Sequence, residues 1–134
     1  FEAGTPNTAG FAGLSAAIDY LTNIGMANIS ARERALLDYA TPRLQAVPGL
    51  RIFGTAPHKA AVISFLGEGG QAHERATLLD KEGVALRSGH HCAHPLMQFY
   101  GVAGTCRASL AFYNTEAEID AFVAAIGRVR KLLA

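Results

Sequence analysis

The densest run of chemically capable side chains in this sequence is Arg87-Ser88-Gly89-His90-His91-Cys92-Ala93-His94. A cysteine is a nucleophile only as its thiolate, and a cation beside it, here Arg87 or a protonated histidine, favours that form. Cys92 is therefore the candidate nucleophile. Its segment reads as a loop between a strand and a short helix, constrained by Gly89 and Pro95, and loops carried on rigid elements commonly hold chemistry. The plain alternative is a small side chain that fills space. His90, His91, Cys92 and His94 also match the ligand types zinc accepts, but structural zinc sites pair ligands from two separated segments. The only other cysteine, Cys106, has no histidine beside it, so no metal ligands are assigned.

Arg107 is the second candidate. An arginine in an otherwise small and apolar strand calls for an anion, and its planar fork matches a carboxylate. A substrate carboxylate or one of the chain's 11 acidic residues would serve. Gly4-Thr5-Pro6-Asn7 leads into a helix whose free N–H groups suit a phosphate, although Asn7 or Thr8 as a plain cap explains the same residues. The only lysines are Lys59, Lys81 and Lys131, and none is set against the Cys92 loop by sequence.

These residues need elements to carry them. Phe11, Leu14, Ile18 and Leu21 recur at helical spacing from Asn7 to about Ile24, with Gly25 as the stop. Ser30 and Glu33 form a capping box for a second helix running to Pro48-Gly49, packed beside the first. Segments 50–53 and 60–66 are short apolar runs of strand type joined by a hairpin linker, 54–59. A helix follows from about Ala72 to Glu82 with Ala76, Leu78 and Leu79 inward, then a strand at Val84-Ala85-Leu86. From Cys106 to Tyr113 the residues alternate, placing Ala108, Leu110 and Phe112 on one face and Arg107, Ser109 and Tyr113 on the other, with Cys106 in the core. Thr115 and Glu118 form a further capping box, opening a last helix striped by Ile119, Phe122, Val123, Ile126 and Val129, with Arg128, Arg130 and Lys131 near its end. The reading is an α+β domain.

At 134 residues, half of them hydrophobic, the chain has the length of one ordinary domain. A net charge of +1 without a basic block gives no reason to expect nucleic acid. No apolar run reaches the roughly 18 residues of a membrane span. Two cysteines are too few for a disulfide scaffold, which points to a reducing, cytoplasmic setting. The start, Phe1-Glu2-Ala3-Gly4, lacks an initiator Met and enters turn chemistry at once, so the chain is expected to be a fragment.

Three segments together, Phe1-Glu2-Ala3-Gly4-Thr5-Pro6-Asn7, Arg87 to Leu96, and Cys106 to Leu110 with Tyr113-Asn114-Thr115, resemble the group II (SUF-type) cysteine desulfurases of the class V aminotransferase family. The resemblance covers essentially the whole chain. It implies the small C-terminal domain of a fold type I pyridoxal-phosphate enzyme, a small mostly antiparallel sheet flanked by helices. Residues 1–28 would be an inter-domain entry segment and helix, residues 29–134 the small domain, and a large cofactor-lysine domain would lie upstream. In such enzymes a lysine carries pyridoxal phosphate as a Schiff base, and L-cysteine is split into L-alanine and sulfur that passes to a protein cysteine as persulfide. The resemblance implies that Cys92 is this acceptor, that Arg107 pairs with the substrate carboxylate with Arg87 and His90 assisting, and that Thr5 reaches the cofactor phosphate across a dimer interface. It further implies a homodimer, a sulfur acceptor protein of the SufE or SufU kind, and a role in iron-sulfur cluster assembly. The Ser-x-His-Lys type setting of the family lysine does not occur in this sequence, so the chain alone is expected to be inactive. A selenocysteine lyase, a stand-alone sulfur-relay or partner-binding domain, and a zinc or Cys92–Cys106 redox-switch protein are the rival readings.

Overall fold

The computed structural model describes residues 3–133, so Phe1, Glu2 and Ala134, including the first two residues of the opening motif, lie outside the described residues. Helix α1, Thr8–Ile24, begins where expected, with Asn7 as the cap accepting from Gly10 N–H at 3.0 Å. Helix α2 spans Met26–Gln45, four residues earlier than the capping box at Ser30 implied. The cause is Gly25, whose φ of +89° turns the chain between two helices in a single residue. Its carbonyl accepts from the N–H groups of Asn28 and Ile29, and Ile29 is buried, which draws the first turn of α2 into the structure. Ser30 lies exposed within the helix. At the other end Pro42 sits inside α2, and the last turn closes by Ala46 N–H to the Pro42 carbonyl at 3.0 Å.

Strands β1, Leu50–Phe53, and β2, Val62–Gly67, form the expected antiparallel hairpin with Phe53 opposite Ser64. Helix α3, Ala72–Lys81, follows. The strand expected at Val84-Ala85-Leu86 forms three residues later, as β3, Arg87–Gly89. The N–H groups of Gly83 and Val84 are committed to the carbonyls of Asp80 and Leu79 that end α3, so Val84 has no donor left for a ladder. After α4, His94–Tyr100, strand β4 runs only from Thr105 to Ser109. Its expected continuation to Tyr113 is cut by a turn in which Ala111 N–H donates to Asn114 Oδ1 at 2.8 Å. Helix α5, Glu116–Leu133, opens on the predicted capping box: Thr115 N–H donates to Glu118 Oε2 at 2.8 Å and Glu118 N–H donates to Thr115 Oγ1 at 3.2 Å.

The sheet has the order β1-β2-β4-β3 with every pairing antiparallel, which makes the α+β reading correct. Strand alternation gives it two unlike faces. One face, with Ile63, Phe65, Cys106 and Ala108, packs against α2, α3 and α5 through Leu36, Leu37, Leu44, Leu79, Phe122 and Ile126. Cys106 is core, as expected. The other face carries Arg51, Phe53, Thr105, Arg107 and Arg87, and α4 reaches it through the edge-on contact of Tyr100 with Phe53. Helix α1 touches α2 and buries none of its residues, leaving Phe11, Leu14, Ile18 and Tyr20 exposed.

Sequence patterning did not anticipate Arg75, which is 0% exposed in α3. Its Nη2 donates to the carbonyls of Glu68 at 2.9 Å and Gly69 at 2.6 Å, pinning the turn after β2. The guanidinium lies on the backbone of Gly67, where an added Cβ would come within 2.7 Å of its Cζ. Burial holds the Arg75 pKa below its ordinary value, with the neighbouring Cys106 and Glu74 opposing that shift. Gly67→Ala should cost about 1–3 kcal/mol by overpacking, and less in an Arg75→Met background, measured as a double-mutant cycle by denaturant unfolding. Thr115→Ala should cost about 1 kcal/mol through loss of the α5 cap, read from the same unfolding curves.

Candidate active site

Arg87 and Arg107 are direct cross-strand partners on β3 and β4, so their side chains leave the same face of the sheet side by side. Like charges in this position repel, and among the described residues no ion pair relieves them. Among the described residues the ion pairs are Arg43 with Asp120 and Arg128 with Glu82, and neither involves this pair. The Nε of Arg107 is buried without a hydrogen-bond partner. Two cations, one with an unsatisfied buried donor, form a receptor for a small anion, and a carboxylate fits the guanidinium fork.

The chain leaves β3 at Gly89 and turns back over this face. Ala93 N–H donates to the His90 carbonyl at 2.9 Å to close the turn. Within it His91 and Cys92 both adopt positive φ, +55° and +60°. Such backbone costs roughly 1–2 kcal/mol per non-glycine residue, so the surrounding contacts must hold it. The holding contact is His91, whose Nε2 lies 3.0 Å from the Thr105 carbonyl and 3.1 Å from Thr105 Oγ1. A carbonyl can only accept, so Nε2 carries the proton and donates. The Nδ1 atom of the same ring is buried with no partner. Desolvation by burial lowers the His91 pKa; the Thr105 backbone bond opposes this, and the charges of Arg107, Arg87 and His90 add to the lowering.

Cys92 itself is exposed and free, whereas Cys106 is buried and free. Burial pushes the Cys106 thiol up to about 11, with Arg75 pulling the other way, and its Sγ donates to the Ala72 carbonyl at 3.2 Å. Only Cys92 is placed to react. His90 stacks edge-on with His94, ring centroids 4.7 Å apart, on the outer side of the turn. Among the described residues no three His, Cys, Asp or Glu side chains are grouped to hold a metal ion.

Of the residues singled out from sequence, Arg87 and Arg107 pair across the strands, and His90 and Cys92 lie in the turn that follows β3 with His91 between them. Thr5 does not join them: it is exposed in the segment before α1, and no hydrogen bond among the described residues links it to β3, β4 or the turn. Lys59 donates to the Gly54 carbonyl at 2.9 Å in the β1–β2 loop, while Lys81 and Lys131 lie in α3 and α5, away from the turn. Sequence reading missed Thr105. Starting the β4 alternation one residue earlier puts Thr105 on the face of Arg107, which is the signal that would have found it.

A family model described as aminotransferase class-V matches residues 1–122. A probable cysteine desulfurase from Xylella fastidiosa (strain 9a5c) is 65% identical over 133 residues, covering 99% of this chain and 32% of that protein. The crystal structure of the cysteine desulfurase CsdA (S-sulfonic acid) from Escherichia coli is similar at a TM-score of 0.91 and 40% identity, covering 100% of this chain and 33% of that one. The apo structure of a cysteine desulfurase from Thermococcus onnurineus NA1 is similar at 0.92 and 38%, covering 99% of this chain and 34% of that one. The chain thus spans about a third of the length of these relatives.

Because the folded-state pKa of His91 is lowered, the unfolded chain binds more protons there, and stability rises with pH across that window. The contribution is complete above the unfolded histidine value of about 6.5 and is lost as pH falls below it. Ring NMR titration should place His91 below that value, and His91→Gln should flatten the acid side of the stability profile.

Proposed function

Since the chain belongs to the aminotransferase class-V family, we propose that it is the C-terminal part of a pyridoxal-phosphate-dependent cysteine desulfurase, with Cys92 as the sulfur acceptor and Arg107 as the partner of the substrate carboxylate. The observation that carries this reading is the uncompensated cross-strand pair Arg87 and Arg107 beneath a turn that presents an exposed cysteine. An amino-acid substrate supplies the missing anion, and its side chain then lies on the side of the pair where Cys92 stands.

Arg107 binds and orients the substrate through its carboxylate, with Arg87 adding positive field and His90 lining the approach. The Cys92 thiolate attacks the sulfur of L-cysteine. A sulfur-sulfur bond forms, the carbon-sulfur bond breaks, and its electron pair stays on the substrate carbon, which takes a proton to give L-alanine. Cys92 is left as a persulfide, so cysteine and thiol become alanine and persulfide with no outside oxidant. Pyridoxal phosphate, when bound, supplies the electron sink that makes this carbon-sulfur cleavage feasible. The unpaired cations fit the substrate that the cofactor would hold, and Thr5 is the residue of this chain assigned to its phosphate, from across a dimer.

None of the three lysines of this chain lies by the turn, so the cofactor-bearing lysine is assigned to another part of the whole enzyme, and these 134 residues alone should not turn over cysteine. Residues 1–28 act as the segment entering the small domain, residues 29–134; the exposed apolar side chains of α1 support this, since such a face needs cover from elsewhere. The exposed Cys92 suits hand-off to an acceptor protein of the SufE or SufU kind for iron-sulfur cluster assembly in the cytoplasm. The Escherichia coli CsdA structure is that of an S-sulfonic acid form. Such a group is the end product of thiol oxidation, and it accords with a reactive thiol in that relative.

In the intact enzyme with cofactor and L-cysteine, mass spectrometry should find one added sulfur on the Cys92 peptide, reversible by reductant, and none in Cys92→Ser. Alanine release with an unmodified Cys92 peptide would reject the assignment. Arg107→Lys keeps charge but loses the fork, and should raise KM for cysteine on the order of 10-fold or more, as expected for losing a charge-assisted bidentate contact.

A further inference from the structure

We propose that His91 is a positioning residue, a tether from the turn to Thr105 that fixes the backbone presenting Cys92; this rests on the reading of Cys92 as the sulfur acceptor. Three observations converge. The His91 ring donates from Nε2 to both the carbonyl and the hydroxyl of Thr105, a fully buried residue of β4 two positions before Arg107. His91 and Cys92 are consecutive residues at positive φ, a conformation that side chains other than glycine leave unless something holds them. The remaining ring nitrogen, Nδ1, is buried without a partner. Burying Nδ1 without a partner costs free energy, and the Nε2 bond to Thr105 is the polar contact that offsets it.

The consequence is geometric. The tether ties the acceptor loop to the strand that carries the carboxylate partner, so the separation between substrate anchor and nucleophile is set inside one short stretch of sheet. Releasing it lets residues 91 and 92 relax to negative φ, which re-aims the Cys92 Sγ while leaving Arg107 and its register with Arg87 in place. Substrate binding and sulfur transfer are thereby separable.

Two variants test this. His91→Phe keeps a ring of similar size without the donor, and His91→Gln restores an N–H at the reach of Nε2. In the intact enzyme, His91→Phe should slow persulfide formation on Cys92 on the order of 10-fold or more with KM for L-cysteine changed by less than about twofold, and His91→Gln should recover most of the rate. In the 134-residue chain, nitrogen NMR should show the neutral Nε2–H tautomer, and amide exchange at Cys92 should speed up in His91→Phe and return in His91→Gln. A wild-type persulfide rate in His91→Phe overturns the proposal, as does a His91→Gln variant no better than His91→Phe. If wild-type enzyme lays no sulfur on Cys92, the functional reading fails first. The tether is then judged by the ring alone, and an Nδ1–H tautomer or unchanged exchange in His91→Phe rejects it.

Discussion

The antiparallel register of β4 against both of its neighbours fixes what each side chain of this domain can do. Pairing Phe65 with Cys106 on one side and Ser88 with Cys106 on the other sends Cys106 and Ala108 into the core beneath α2, α3 and α5. The same register sends Thr105 and Arg107 to the opposite face, with Arg87 beside Arg107. A slip of one residue would exchange these sets and bury a guanidinium among leucines, so core formation and site formation enforce one another. The strand is only five residues long, and it needs to be no longer.

Arg75 and Arg107 sit in different surroundings. Arg75 is enclosed and spends its Nη2 on the carbonyls of the turn after β2, filling the space above Gly67, so it acts as part of the fold. Among the described residues Arg107 makes no such bond to a carbonyl, and its Nε is buried without a partner, as are Nε and Nη1 of Arg75.

The two cysteines divide in the same way. Cys106 is buried on the helical side, its thiol held protonated by its surroundings. Cys92 stands exposed on a turn with left-handed backbone, next to a histidine bonded to Thr105.

Sequence by itself determined the parts whose signals are local. Helix periodicity gave α1, α3 and α5, the Thr115 and Glu118 pair gave the start of α5, the Gly54 to Lys59 linker gave the hairpin, and the run from Arg87 to His94 contained the turn that carries Cys92. Local signals misled where a neighbouring residue offered a competing bond: Gly25 started α2 before the Ser30 box, the end of α3 took the donor of Val84, and Asn114 cut β4 short of Tyr113. Tertiary structure alone decided that Arg87 faces Arg107, that His91 reaches Thr105 fourteen residues away, and that Arg75 is enclosed. These contacts are set by strand pairing and by the closing of helices over a sheet, and such long-range geometry leaves no spacing in the sequence from which to read it.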